Sequence, residues 1–143
     1  MTTNERIRFK FENADGELEV ESMWANACDD GYLIDNIPCY VTGVALGDMI
    51  AVEKDAEGML WFKHLVRASG HSTIQVLFDN EAIAKTTCEN AIALGCAWEG
   101  ASELLVAVDV PSKAIYDELK RYLDAYEQRG LLEYQEACLG FIT

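Results

Sequence analysis

Hydrophobic and polar residues alternate along most of residues 1–68, which is the period-two pattern of β-strands. Small turn sequences such as Asp29-Asp30-Gly31 and Ala56-Glu57-Gly58 separate the alternating runs. The pattern predicts about six short strands and no helix in this half of the chain. We therefore expect residues 1–68 to form an all-β subdomain, a small bent β-sheet or partial barrel.

Residues 5–24 predict a β-hairpin, because the alternating runs ERIRFKFE and ELEVESMW flank an Asp-Gly turn. In the register that we expect, Lys10 lies opposite Glu19 and Arg8 lies opposite Glu21. Opposite charges would then face each other, and each exposed pair would stabilise the hairpin by roughly a few tenths of a kcal/mol.

The periodicity changes after residue 68. Asp79 or Asn80 is expected to cap a helix that Gly95 ends, and Pro111-Ser112 to begin a second helix that Gly130 ends. Four strand-like runs accompany the helices, at residues 72–78, 96–99, 103–110 and 131–141. The resulting order of strand, helix, strand, strand, helix, strand is that of a ferredoxin-like split β-α-β arrangement.

The predicted fold class is therefore α+β, with an all-β subdomain at residues 1–68 and a ferredoxin-like subdomain at residues 69–143. Both helices should cover one face of a four-stranded antiparallel sheet. The turn-rich segment Gly31–Asp48 lies between strand-like runs on both sides, and the chemically useful residue types gather around it.

Net charge and hydropathy exclude several classes of protein. The 143 residues carry a formal charge of −14, spread evenly along the chain, which would repel a phosphate backbone and disfavours nucleic-acid binding. No run approaches the roughly 18 apolar residues of a membrane span, and the polar N-terminus does not resemble a signal peptide. We expect a cytoplasmic protein that does not bind membranes.

The five cysteines do not predict a metal or redox site, because their number is odd and no two have C-x-x-C spacing. Cys88, Cys96 and Cys138 lie among apolar neighbours and are expected to be small buried hydrophobic residues. Cys39 follows a proline in a predicted loop and is the thiol that we expect to be most accessible. No metal and no cofactor is predicted.

Catalytic interpretations of the polar residues are weak. His71 is either a general base in a cleft between the halves or a turn histidine that satisfies local backbone groups. A Ser72, His71 and Asp48 triad lacks the G-x-S-x-G turn. Glu21, Asp35 and Asp48 could supply a carboxylate pair for hydrolysis, but scattered acids are expected without such a role in a protein of charge −14. We predict no catalytic residues.

Four segments together resemble a family of small bacterial proteins known as a domain of unknown function. They are E-S-M-W-A (21–25), D-N-I-P-C-Y (35–40), G-V-A-L-G-D (43–48) and S-G-H-S-T (69–73). Cys39 departs from the aromatic residue that the resemblance implies in N-I-P-x-Y. The resemblance also implies the role of an immunity partner, because such acidic families are often encoded beside bacterial toxins.

The leading hypothesis is a non-enzymatic, acidic immunity protein that neutralises a basic toxin domain by direct occlusion. A small-molecule sensor is the alternative, and a hydrolase that uses His71 with Asp48 or Glu21 is the third hypothesis. Open sheet edges also leave a homodimer as an alternative. The predicted binding residues, which would either line one cleft or hold the two halves together, are Glu21, Trp24, Asp35, Asn36, Pro38, Tyr40, Asp48 and His71.

Overall fold

The alternating segments of the first half form a five-stranded closed barrel. A computed structural model describes residues 4–141. The barrel strands are β1 (Asn4–Glu12), β2 (Leu18–Cys28), β3 (Gly31–Ile34), β4 (Met49–Lys54) and β5 (Leu60–Arg67). Neighbouring strands are antiparallel, and β5 closes the barrel by pairing in parallel with β1. The expected bent sheet is thus a full barrel, with five strands where about six were predicted.

The β1–β2 hairpin has a register one residue away from the predicted one. Five residues, 13–17, lie between the paired strand ends Glu12 and Leu18, where the predicted runs left four. Gly16 is left-handed (φ +81°), and Asn13 Oδ1 accepts hydrogen bonds from two backbone N–H groups across the turn. Phe9 therefore lies opposite Glu21. Because a one-residue slip moves every side chain to the other face, Glu21 lies on the same face as the buried Phe9, whereas Val20 is 50% exposed.

The predicted charge pairing across the hairpin is consequently wrong. Lys10 lies opposite Val20 and Arg8 lies opposite Ser22. The basic side chains of β1 instead contact tryptophan rings on the outer barrel wall, with the Arg8 guanidinium 5.8 Å and the Lys10 ammonium 5.2 Å from the centroid of Trp61.

The second half has the predicted ferredoxin-like order. Its elements are β6 (Ser72–Phe78), α1 (Glu81–Leu94), β7 (Ala97–Gly100), β8 (Leu105–Val110), α2 (Lys113–Gln128) and β9 (Leu132–Leu139). The sheet is antiparallel in the order β7-β8-β6-β9. Asn80 and Ser112 cap the two helices by accepting hydrogen bonds from Ile83 N and Ile115 N, and Gly95 ends α1 at φ +101°. The α+β fold class is confirmed.

Both helices cover one face of this sheet and leave the other face to the barrel. Ile74, Val76 and Phe78 of β6 point into the helix-covered core, so the alternate residues Gln75 and Leu77 lie on the opposite face. Residues 35–48 pack against this opposite face. Their backbone bonds to it include Gly43 N to Ala137 O (2.8 Å), and Gln75 Nε2 donates to Val41 O (3.3 Å).

Candidate functional site

Glu21 anchors the loop that connects the barrel to the sheet. Its carboxylate accepts three hydrogen bonds from consecutive backbone N–H groups, those of Cys39 (2.8 Å), Tyr40 (3.0 Å) and Val41 (3.0 Å). Backbone N–H groups that have no strand partner need another acceptor when water is excluded, and a carboxylate is a strong one. Glu21 therefore fixes the conformation of residues 39–41 from inside the barrel wall.

Asn36 holds the beginning of the same loop. The side-chain Oδ1 of Asn36 accepts a hydrogen bond from Trp24 N, and Asp35 N donates to Trp24 O (2.8 Å). Pro38 is buried, whereas Asp35 is exposed. The loop is thus hydrogen-bonded to β2 at Trp24 through one side-chain and one backbone contact. Strand β2 itself extends past Trp24 to Cys28.

Asp48 closes the far end of the loop. It is 1% exposed, and its carboxylate accepts hydrogen bonds from Ala45 N (2.9 Å) and from Ser69 N (2.8 Å), at the start of the second half. Both Asp48 and Glu21 are therefore engaged by backbone groups. Neither of them pairs with His71, so the hydrolase arrangement that the sequence suggested is not formed.

His71 pairs instead with Asp109, a residue that the sequence reading missed. His71 Nδ1 lies 2.9 Å from both carboxylate oxygens of Asp109, which is 4% exposed. Burial raises the pKa of Asp109, and the hydrogen bond and charge of His71 oppose that rise. The sequence signal for this pair was Asp109 itself, the one acid in the aliphatic run LVAVDV, because a buried carboxylate requires a partner.

A wide cleft, here called the sheet cleft, lies where the barrel hairpin and the loop meet the exposed part of the barrel-side sheet face around Leu77. Its volume is about 490 Å³. Phe11 and Tyr40 stack on one side, with ring centroids 5.3 Å apart and planes inclined by 7°. The described residues that line it are Phe11, Glu12, Asn13, Ala14, Glu19, Cys39, Tyr40, Gln75, Leu77, Leu105, Glu133, Tyr134 and Gln135.

A smaller cavity of about 230 Å³, here called the Trp24 pocket, adjoins it through Cys39. Glu21, Trp24 and Asn36 line it together with Glu99, and the Arg6 guanidinium lies 4.9 Å from the Trp24 ring centroid.

Cys39 is less accessible than the sequence suggested. Burial, followed by the charges of Glu21 and Glu99, raises the pKa of its thiol to about 12. The exposed thiol is that of Cys28, while Cys88 and Cys96 are buried as predicted. Cys138 is only half-buried.

The structure brings the predicted residues to separate places. Glu21, Trp24 and Asn36 meet at the Trp24 pocket and Tyr40 lines the sheet cleft, whereas Asp48 and His71 make their contacts at the junction with β6 and β8. Sequence reasoning missed most of the sheet cleft. The missed residues of greatest consequence are Phe11, Leu77, Leu105, Glu133 and Gln135.

The lysines and arginines of the second half are segregated by face. Strands β6, β7, β8 and β9 contain no lysine or arginine, and neither do residues 35–48. Every lysine and arginine after position 68 lies in α1, in α2 or at the C-cap of α2: Lys85, Lys113, Lys120, Arg121 and Arg129. The barrel-side face of the sheet and the loop on it therefore carry no lysine or arginine, whereas the helical face carries all five.

No ion site or membrane helix is found within residues 4–141. In that range no group of three or more histidine, cysteine or acidic side chains is placed to hold a metal ion. Neither of the two helices described there has the length and apolar composition that crossing a bilayer requires.

Comparisons with known proteins agree with the resemblance noted in the sequence. The chain is similar over 97% of its length to the crystal structure of a hypothetical protein from Neisseria gonorrhoeae, 97% of which is covered in turn, with 28% identity and a TM-score of 0.84. No curated protein matches the chain. The model of a domain of unknown function, DUF4265, matches residues 21–134, a range that contains all four motif segments. The chain belongs to this DUF4265 family.

Proposed function

We propose that the protein is a cytoplasmic, non-enzymatic immunity protein that binds a basic protein, such as a toxin domain, and occludes it. The observation that carries the proposal is the segregation of lysine and arginine. Asp35, Glu99 and Glu133 are exposed on the loop and the sheet, which contain no lysine or arginine, while the lysines and arginines of the second half lie on the helices behind them.

Electrostatic complementarity of this kind acts mainly on the association rate. A chain with a net charge of −14 attracts a basic partner at a distance, and a face without lysine or arginine orients the approach. The lifetime of the complex then depends on a few apolar or aromatic anchors in the contact area. Tyr40 (43% exposed) and Leu77 (49% exposed) supply such side chains on the same face.

In this proposal the motif segments form a scaffold that holds the loop in place. We infer that the four motif segments describe how the loop is held, since Glu21, Asn36 and Asp48 accept hydrogen bonds from backbone N–H groups, that of Ser69 in S-G-H-S-T among them. The partner would contact the exposed side chains that this scaffold presents, with Tyr40 among them.

Co-expression with the product of the adjacent gene tests the proposal. The expected result is a purified stoichiometric complex, protection of the host cell from that product, and an association rate that falls as salt is raised from about 50 to 200 mM. A chain that neither forms the complex nor protects the cell would contradict the proposed function.

A second candidate function is small-molecule sensing, which the size of the sheet cleft favours. Its volume of about 490 Å³ lies within the range of roughly 300–1,000 Å³ that is usual for small-ligand sites. A thermal-shift screen distinguishes the two candidates: stabilisation by a metabolite in the absence of any protein partner would favour the sensor.

A further inference from the structure

We propose that the sheet cleft takes a large apolar side chain of the partner, flanked by a lysine or arginine on the same extended segment. This inference rests on the proposed function and adds to it the chemistry of the contacting segment. It concerns a site that only Tyr40 among the sequence-predicted residues reaches.

Much of the lining of the cleft is apolar and exposed. It includes the stacked rings of Phe11 and Tyr40, and Leu77 with its cross-strand neighbour Leu105. Leu77 is 49% exposed although it occupies a central strand of the sheet. Covering these side chains would remove apolar surface from water, which is favourable by roughly 25 cal/mol per Å².

The rim of the cleft is acidic on both sides. Glu12 and Glu19 stand on the barrel hairpin, and Glu133 stands on β9 beside Leu77. All three are exposed, and no lysine or arginine is among the described residues that line the cleft. A cation next to the apolar anchor would meet carboxylates at either edge, whereas an anionic segment would be repelled.

Hydrogen bonds fix the floor before any ligand arrives. Gln135 Nε2 donates to Gln75 Oε1, and Gln75 Nε2 donates to Val41 O, so an amide chain runs from β9 across β6 to the loop. Glu21 holds the backbone of Tyr40 from the other side. A preformed site of this kind loses little conformational freedom on binding, which favours affinity.

A second copy of the chain is a poor occupant of this cleft. Two molecules with a net charge of −14 each repel one another, and an acidic rim placed against another acidic surface raises that repulsion. The charge complementarity of the cleft therefore selects a basic segment of another protein over a homodimer contact.

Titration of the ¹⁵N-labelled chain with short peptides tests the inference. The probe is the acetylated, amidated pentapeptide Gly-Arg-Trp-Lys-Gly, and the controls replace either its tryptophan by glycine or both cations by glutamate. We expect the probe to shift the amide signals of Tyr40, Leu77 and Leu105, and each control peptide to bind at least about fivefold more weakly.

Matched substitutions locate the binding. Leu77→Ser and Glu133→Gln should each raise the Kd of the probe by about threefold or more. The controls Ile92→Ser and Glu89→Gln replace residues that are exposed on α1, and they should leave the Kd of the probe unchanged. Shifts that map to another surface, equal binding of the glutamate peptide, or no binding at all would overturn the inference.

The two proposals fail in different ways. If the adjacent gene product forms a protective complex that Leu77→Ser and Glu133→Gln do not weaken, the proposed function stands and the cleft inference falls. If the peptide occupies the cleft and no protective complex forms, the cleft chemistry is correct and the immunity function is wrong.

Discussion

At the residue scale, acidic side chains perform two different tasks in this protein. Glu21 and Asp48 accept hydrogen bonds from backbone N–H groups of a loop that has no strand partner, so they contribute to folding. Glu12, Glu19 and Glu133 remain exposed around the sheet cleft and contribute to the surface field. Removing an acid of the first kind should cost stability, and removing one of the second kind should not.

Glu21→Ala should lower the free energy of unfolding by about 2–4 kcal/mol, because three backbone donors lose a charged acceptor. Glu19→Ala provides the matched control, since Glu19 is an exposed acid on the same strand, and it should change stability by less than about 0.5 kcal/mol. Urea denaturation followed by circular dichroism measures both. Equal effects of the two substitutions would show that the carboxylate does not anchor the loop.

Cys39 should resist alkylation at pH 8, where exposed Cys28 provides an internal reference. A thiol whose pKa is raised to about 12 is almost entirely protonated at this pH, so iodoacetamide should modify Cys28 at least about tenfold faster, as read by peptide mass spectrometry. Comparable rates at the two positions would contradict the burial of Cys39 between Glu21 and Glu99.

The raised pKa of the Cys39 thiol should make the stability of the protein fall as the pH rises. An unfolded cysteine releases its proton near the ordinary pKa of 9.0, and the folded Cys39 releases it only near about 12. The folded state therefore binds more protons between these values, and stability declines as pH rises through that window. Cys39→Ala should make the decline shallower, which thermal unfolding at pH 8 and pH 10.5 measures.

At the element scale, the end of β9 lies against the start of β6. Gly140 N donates to Ser72 Oγ (3.0 Å), and a Cβ built on Gly140 would lie 2.1 Å from the carbonyl oxygen of His71. Backbone atoms cannot move aside as a flexible side chain can. The close approach is therefore available only to glycine.

Gly140→Ala should destabilise the protein by about 2 kcal/mol or more, because the two strands must separate to admit a methyl group. Gly100→Ala provides the control: Gly100 lies at the end of β7, and its nearest contacts to an added Cβ are 3.7 Å away. Differential scanning calorimetry should show a lower Tm for the first variant alone. An unchanged Tm for Gly140→Ala would contradict the packing of Gly140 against His71.

Local signals explain which elements could be predicted from the sequence. Asn80, Ser112 and Gly95 mark helix ends by chemistry that acts within one turn, and the structure confirms all three. The hairpin register was wrong because it depends on one further loop residue, which the Asp-Gly turn signal does not report. The loop at residues 35–48 has no periodic pattern, because side chains from distant strands determine its conformation.

At the scale of the whole molecule, the candidate site could be predicted only in part. Trp24, Asn36 and Tyr40 were identified from motif segments, but the sheet cleft draws its walls from β1, the loop, β6, β8 and β9. Residues so far apart in the chain are brought together by the order of the sheet and by the way in which the barrel docks on it. The sequence signal for this site was one of composition, because the four strands of the sheet contain no lysine or arginine.

The segregation of lysine and arginine between the two faces is the property from which the proposed function follows. Glu133 on β9 and Glu118 on α2 are both exposed, and they lie on the sheet face and on the helical face respectively. Replacing either with lysine changes the net charge by the same amount. The two variants therefore separate the effect of position from that of total charge.

The most direct test is the Kd of the complex with the adjacent gene product, measured by isothermal titration calorimetry for these two variants. Glu133→Lys should weaken binding by at least about tenfold, because it places a cation where a basic partner docks, and Glu118→Lys should leave the Kd within about twofold of the parent value. Equal weakening by both variants, or weakening by Glu118→Lys alone, would contradict the assignment of the sheet face as the binding surface.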